Sequence, residues 1–431
     1  MRARTALSTA ALAVLTLTTA ALATVPAAAA PVTAPAATTA ADVTAPAGFV
    51  GMAPTRILDT RDYSKVPETR TARPVQAGEY YSTPIAVGCH SHPPQECYGV
   101  IPSDATAVVV NVTVTNPTAE GFVSLGSAPG APGTKPATSS VNFAPGQTVS
   151  NLVTVATGPV SRWVPWLTVY NNAGTTDVVL DVVGYYRTAA TDKYAPLRPT
   201  RIADSRTDGT DRLNTNSVRS YQVARPELGT ENASAVVLNV TAVDGYWDSY
   251  LTVYPSGRPR PDGSNLNFPV STTASNRVVV PVGADGRIDV YNHVGGVHVI
   301  VDVVGYFGPS GTGLFSALKT PVRSFDSRVG GGPVPGSGTV RVQAVPTDGS
   351  VPNAVGVEAN VTATDVVADG HLIVFPGPGL PTDTSTVNVT TGRTTSNSAT
   401  TAVAADGTYS IHNHGADLDV IADVTGYYVT G

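Results

Sequence analysis

Internal repetition at a long period constrains this chain more than any other feature. Three octapeptides share the pattern P-x-R-x-x-D-[ST]-R: PTRILDTR from Pro54, PTRIADSR from Pro199 and PVRSFDSR from Pro321. Each is followed by an apolar run that carries one asparagine, AVVVNVTVT, AVVLNVTAV or GVEANVTAT, which sets Asn111, Asn239 and Asn360 in register. Asn142, Asn267 and Asn388 align next, then Asn151, Asn276 and Asn397, then Asn171, Asn292 and Asn413. Each copy closes on VVLDVVGYY, VIVDVVGYF or VIADVTGYY, whose aspartates are Asp181, Asp302 and Asp423. A period above about 100 residues is too long for a solenoid repeat or a propeller blade, so each copy is expected to be a domain in its own right.

Within a copy the periodicity is that of strands. VVVNVTV, YLTVYP and RIDVYN are runs of β-branched and aromatic residues separated by turn signals such as PSG, ADG and NNAG, and no segment carries a capped helical stripe. The fold class expected is all-β: three tandem β-sandwich modules of about 110–135 residues, with small β-barrels as the alternative. The division is 1–30 signal peptide, 31–48 Ala/Pro/Thr-rich linker, 49–190 first module with a cysteine loop, 191–310 second module and 311–431 third module. The first copy is longer around the cysteines and around RWVPW, Arg162 to Trp166.

The first thirty residues pair Arg2 and Arg4 with an apolar stretch and small residues near Ala28 to Ala30, the pattern of an export signal. Beyond it no apolar stretch reaches the roughly 20 residues that span a bilayer. The expected location is therefore secreted, extracellular or associated with the cell wall. Basic residues are mostly arginine, with lysine only at 65, 135, 193 and 319, which suits a GC-rich actinobacterial source. A net charge of −6 argues against a nucleic-acid partner, which needs a basic face. Cys89 and Cys97 lie close enough in CHSHPPQEC to close a disulfide in an oxidising exterior, and His90 and His92 leave a Cys/His metal site as the other reading.

An aspartate inside VIVDVVGYF is costly unless it is paired, because alternation makes both faces of that strand apolar. The opening signature supplies two arginines per copy. Asp181 is therefore expected to pair with Arg56 or Arg61, Asp302 with Arg201 or Arg206, and Asp423 with Arg323 or Arg328. With Asp59, Asp204 and Asp326 these residues form a structural polar core. The repeated asparagines are read as ties to neighbouring backbone, and the NVT matches to a glycosylation sequon as accidental. Calcium stays open as a cofactor because Asp59, Asp62, Asp204 and Asp208 offer hard oxygen ligands, although no EF-hand loop is present. Otherwise no cofactor and no metal site is expected, the His412/His414 pair in IHNHG lacking an evident third ligand.

No HExxH, GxSxG or phosphate-loop motif occurs, and no glutamate recurs at one position in all three copies, so no catalytic residue is assigned. Positions that differ between copies are free to specify a ligand. The loop after the NVT strand reads NPTAEG, DGYWDS and DVVADG, so only the second copy presents Tyr246 and Trp247 beside Asp248, and only the first carries Trp163 and Trp166. An aromatic ring beside an acid or amide suits a sugar, whose apolar face stacks while its hydroxyls are hydrogen-bonded. These five residues are the candidate ligand-binding set.

The PTRxxDTR opening, the NVT strand and the DVVGYF ending, together spanning Pro54 to Tyr428, resemble a repeat of secreted actinobacterial proteins, found alone or attached to cell-wall hydrolases and other exported enzymes. The resemblance implies export and an envelope-associated, non-catalytic role. The expected function is a cell-surface or matrix protein that binds cell-wall polysaccharide, peptidoglycan or another extracellular glycan, with surface proteins as further partners. The alternative is a structural or protein-binding array of spacers or adhesins, and a hydrolase with an unrecognised site is a third reading.

Overall fold

The computed structural model describes residues 41–65, 72–87, 98–128, 133–158 and 164–431. Each copy forms two antiparallel sheets. In the second module the strands are Lys193–Asp204, Ser217–Gln222, Ala235–Val243, Ser249–Pro255, Leu266–Phe268, Thr273–Pro281, Arg287–Asn292 and His298–Gly308. The inner sheet runs first, eighth, third, sixth and the outer sheet second, seventh, fourth, fifth, and the other two modules repeat this order. Eight strands so arranged in two facing sheets are a jelly roll, a sandwich and not a closed barrel. Three separate apolar cores, one per module, fill the space between the paired sheets.

The motif ending each copy is the central strand of the inner sheet. His298–Gly308 lies between Lys193–Asp204 and Ala235–Val243, with Arg201 opposite Asp302 on one side and Asn239 opposite it on the other. The signature proline marks a break in the first strand: the register shifts between Pro196 and Thr200, and likewise between Gly51 and Thr55 and between Ala317 and Val322. A residue without an N–H is tolerated at such a break. The glycine of the VVGY ending has a steric reason. A Cβ on Gly184, Gly305 or Gly426 would collide with the ring of Phe49, Tyr194 or Phe315, which the first strand lays across it.

Those rings are three of the six aromatic rings in a fourth apolar cluster, at the junction of all three modules. Phe49 stacks on Phe307 with ring centroids 4.1 Å apart, Tyr194 on Tyr428 at 4.2 Å and Phe315 on Tyr186 at 4.5 Å, so each module hands a ring to the next and the third hands one to the first. Backbone pairing follows the same circuit: Phe49 N donates to Asp192 O at 2.8 Å, Thr312 N to Tyr194 O at 3.1 Å and Ala47 N to Phe315 O at 3.0 Å. The inner sheets of the second and third modules thereby join into one sheet of eight strands. The three copies close into a ring and do not form the open string that tandem repetition suggests.

The linker expected through residue 48 is not one over its last residues. Thr44 N donates to Ala317 O at 2.8 Å, Lys319 N donates to Asp42 O at 3.0 Å, and Ala47 is buried. Small side chains, which looked unfit for a core, let this backbone lie flush along the third module's first strand.

The three repeated asparagines of the NVT strands secure the ring. Asn111 Nδ2 donates to Ser264 O at 2.7 Å, Asn239 Nδ2 to Ser385 O at 2.6 Å and Asn360 Nδ2 to Ser139 O at 2.8 Å, each reaching into the next module. Their own oxygens accept from Asn276, Asn397 and Asn151, whose carbonyls in turn accept from the backbone of Leu152, Arg277 and Ser398. All six amides are buried, which removes the NVT sequons from any glycosylating enzyme.

One place breaks the symmetry. Arg277 and Glu358, 3% and 1% exposed, pair at 2.8 Å, and Thr154, Thr400 and Tyr428 add hydroxyls around them. The copies carry Leu152 and Ser398 where Arg277 stands, and Val109 and Val237 where Glu358 stands. Truncating either partner leaves a buried charge and should cost about 3–5 kcal/mol, whereas Arg277→Leu with Glu358→Val should come close to the parent. Urea unfolding of the two single variants and the double variant checks this. A double variant as unstable as the sum of the singles would show that the pair is not the unit of cost.

Candidate functional site

The polar core of each signature is a chain of four charges. The first arginine reaches the buried aspartate of the eighth strand through Nε and Nη2: Arg56 to Asp181 at 2.9 and 3.1 Å, Arg201 to Asp302 at 2.9 and 3.4 Å, Arg323 to Asp423 at 2.9 and 3.3 Å. The second arginine folds back on the signature's own aspartate, Arg61 on Asp59, Arg206 on Asp204 and Arg328 on Asp326, with Nη2 contacts of 2.6–2.7 Å. In the second and third modules the two carboxylates shift in opposite directions. Burial pushes Asp302 and Asp423 above the usual carboxylate range in spite of their arginines, while hydrogen bonds from Arg206 and Arg328 hold Asp204 and Asp326 below it.

This chain also touches the neighbouring module. Arg323 Nη2 donates to Ala137 O at 2.9 Å, and Arg198, beside the second signature, donates to Leu380 O at 2.6 Å. The oxygens offered for calcium are thus already engaged: Asp62 by Ser64, Asp208 by Thr210 and the backbone of Asp204. Among the described residues no group of three or more His, Cys, Asp and Glu side chains is gathered around a cation-sized space. A Ser-x-x-Lys spacing, Ser316 to Lys319, lies in a strand, where residues three apart face opposite sides, and Lys319 Nζ meets Asp42 at 2.8 Å instead.

The five candidate ligand-binding residues do not form one site. Tyr246, Trp247 and Asp248 share the loop between the third and fourth strands of the second module, which Asp244 opens in the left-handed conformation that Asn and Asp tolerate; Asn116 and Asp365 do the same in the other copies. Trp247 is 66% exposed and Tyr246 59% exposed. Both are nonetheless held in place. Gly295 and Gly296 form the floor under the two rings, where a Cβ on Gly295 would fall 2.8 Å from Trp247 Cδ1, and Tyr246 N donates to Gly296 O at 3.1 Å. Arg212 lies over the Tyr246 ring at 4.4 Å while binding Asp244 through both terminal nitrogens. Asp248 accepts from Val270 N at 2.8 Å and so shapes the loop.

Beside this platform lies an open cleft of about 580 Å³, lined by Arg206, Asp211, Arg212, Asn214, Tyr246 and His298 among others. Trp166 is elsewhere: it starts the first module's seventh strand, opposite Pro84, half-buried with its Nε1 buried and unpaired among the described residues. Trp163, Cys89 and Cys97 lie outside the described residues.

The outer sheets add a feature that sequence reading only touched. The fourth and seventh strands of the third module bring His371 against His414, rings stacked at 4.6 Å, and the second module pairs Tyr250 with His293 in the same way at 4.7 Å. The first module has Phe122 and Asn172 at these positions. His414 and His293 were visible in the sequence, but their stacking partners belong to another strand and no local signal announces them.

Comparison with known proteins gives little. No family model matches the chain, and no curated protein matches it. Among solved structures, the N-terminal CBM22-1-CBM22-2 tandem domain of Paenibacillus barcinonensis Xyn10C is 11% identical, with 59% of this chain and 100% of that chain covered and a TM-score of 0.16. A triple jelly roll protein of an archaeal virus is 9% identical over 89% of this chain and 91% of that chain, with a TM-score of 0.16. A protein of Sulfolobus Turreted Icosahedral Virus has the same identity and coverage and a TM-score of 0.15. Superpositions this loose assign this chain no function.

Two predictions follow from the geometry. Asp302→Ala should cost about 3 kcal/mol in thermal or urea unfolding, at the lower end for an orphaned charge because Arg201 keeps Asp204 as a partner and reaches solvent. His371 is pushed down to about 4 by burial, with His414, His412 and Arg201 adding to the effect. Between that value and the unfolded value near 6.5, the unfolded chain holds a proton that the folded chain does not, so stability falls as the pH drops through this window. His371→Tyr, the residue of the second copy, should remove a slope of at most about 1.4 kcal/mol per pH unit, read from urea midpoints at pH 4.5 and 7.

Proposed function

We propose that the chain is a secreted, non-catalytic protein of the cell surface or matrix that binds a glycan, with Trp247 as the stacking ring and Tyr246, itself covered by Arg212, beside it. The observation that carries this reading is the exposure of Trp247 on a loop fixed from below by the Gly295–Gly296 backbone. An indole that packs into its own module would be buried; this one offers an apolar plane next to Tyr246, which borders a cleft whose walls carry Asp211, Asn214 and Arg206. The export pattern at the N-terminus and the resemblance to actinobacterial envelope repeats support the location, and cell-wall polysaccharide or peptidoglycan is the ligand class that fits both. The structural or protein-binding alternative draws on Trp166, whose half-burial suits packing.

Sedimentation with insoluble peptidoglycan, chitin and cellulose tests the proposal. The parent should be retained on at least one polymer, and Trp247→Ala should lose most of that retention while its melting temperature stays within about 2 °C, because the ring is largely solvent-exposed. Equal retention of parent and variant would remove Trp247 from the site, and no retention on any polymer would shift the reading to protein partners.

A further inference from the structure

The three modules are one design built three times, so a gap present in one and filled in the other two is informative. In the second and third modules the ring on the fourth strand is covered by a histidine from the turn after the seventh, Tyr250 by His293 and His371 by His414. In the first module the corresponding ring is Phe122 and the covering histidine is replaced by Asn172. Phe122 and Asn172 line an open cleft of about 410 Å³ between the first module's outer sheet and the third module's signature.

The cleft's other polar groups define what fills it. Lys135 Nζ lies over the Phe122 ring, 5.0 Å from its centroid, on an exposed side chain with no ion-pair partner among the described residues. Arg323 and Arg328 of the third module form the opposite wall, and Glu120 is the single carboxylate in the lining. The arginines face the cleft from behind Asp423 and Asp326, which neutralise them in part and hold them still.

We infer that this cleft is a second binding site and that it takes a sugar bearing a carboxylate, a uronic-acid-type pyranose. Its apolar face takes the place of the exposed Lys135 chain over Phe122, where the other modules place an imidazole, and the displaced ammonium meets the carboxylate. Asn172 and Glu120 take hydroxyls. The carboxylate lies toward Lys135, the one cationic group of the lining without an ion-pair partner among the described residues, and toward the edges of Arg323 and Arg328, whose charges Asp423 and Asp326 already balance. The site is separate from the Trp247 platform and does not depend on it.

Isothermal titration of the chain with tri-galacturonate and with cellotriose, at low salt, tests the inference on three variants. Asn172→His installs the residue that both sibling modules carry and should weaken tri-galacturonate at least tenfold with the melting temperature unchanged. Lys135→Gln should weaken it several-fold and reduce its salt dependence, and Trp247→Ala should leave it as in the parent. Cellotriose should bind the parent at least tenfold more weakly than tri-galacturonate. The inference is overturned if the parent does not bind tri-galacturonate, if Asn172→His binds it as the parent does, or if cellotriose binds equally well. Loss of tri-galacturonate binding in Trp247→Ala would also overturn it, by placing the acidic sugar on the platform.

Discussion

The inner sheet of each module is buried on both faces, and the rest of the molecule depends on that constraint. One face closes the module's own sandwich core; the other meets only the sibling modules, through Val109, Val237, Val279 and the six rings at their junction. Left alone, a module would expose this second face to water. Three modules related by an approximate threefold axis bury it, and the polar groups that must be buried with it bond to one another: the asparagine amides in a ring, Arg277 with Glu358, Tyr186 with Tyr428. Desolvating so many polar atoms is tolerable because most have a partner; Arg277 Nε and the hydroxyls of Thr241 and Thr362 are the buried exceptions on these strands among the described residues.

Much of this was legible in the sequence. The strand periodicity gave the sandwich, and the apolar runs on either side of Asp302 marked a central strand, since a half-exposed strand would alternate. Even the closure had a trace, because a strand apolar on both faces in an inner sheet needs a cover on each side. What covers it was not legible. Asn111 finds Ser264, and Arg277 finds Glu358, across separations that no local pattern encodes. Arg277 and Glu358 each occur in one copy only, and an alignment of repeats discards such residues as noise unless they are considered as a pair.

The candidate sites follow the opposite logic. The fold is specified by what the copies share, and recognition by where one copy departs. Trp247 replaces Ala119 and Ala368 on a loop whose left-handed first residue is kept in all three copies, so the backbone offers the same perch and only the second module mounts an indole on it. Asn172 works by subtraction, leaving to the exposed Lys135 chain a ring that a histidine covers twice elsewhere. The gain of Trp247 could be read from the sequence because tryptophan is rare; the loss at Asn172 acquires meaning only when the stacked partners are seen.

Closure also changes what repetition can do for binding. A flexible string of modules gains avidity by letting each module search independently for its own site on a polymer. In a ring fastened through six aromatic rings and shared backbone pairing, the binding faces keep fixed spacings, so avidity arises only for a ligand whose own spacing matches. The proposed Trp247 site and the Phe122 cleft lie on different modules. If both proposed sites bind, a polymer must present matching groups at the right separation to engage the molecule twice.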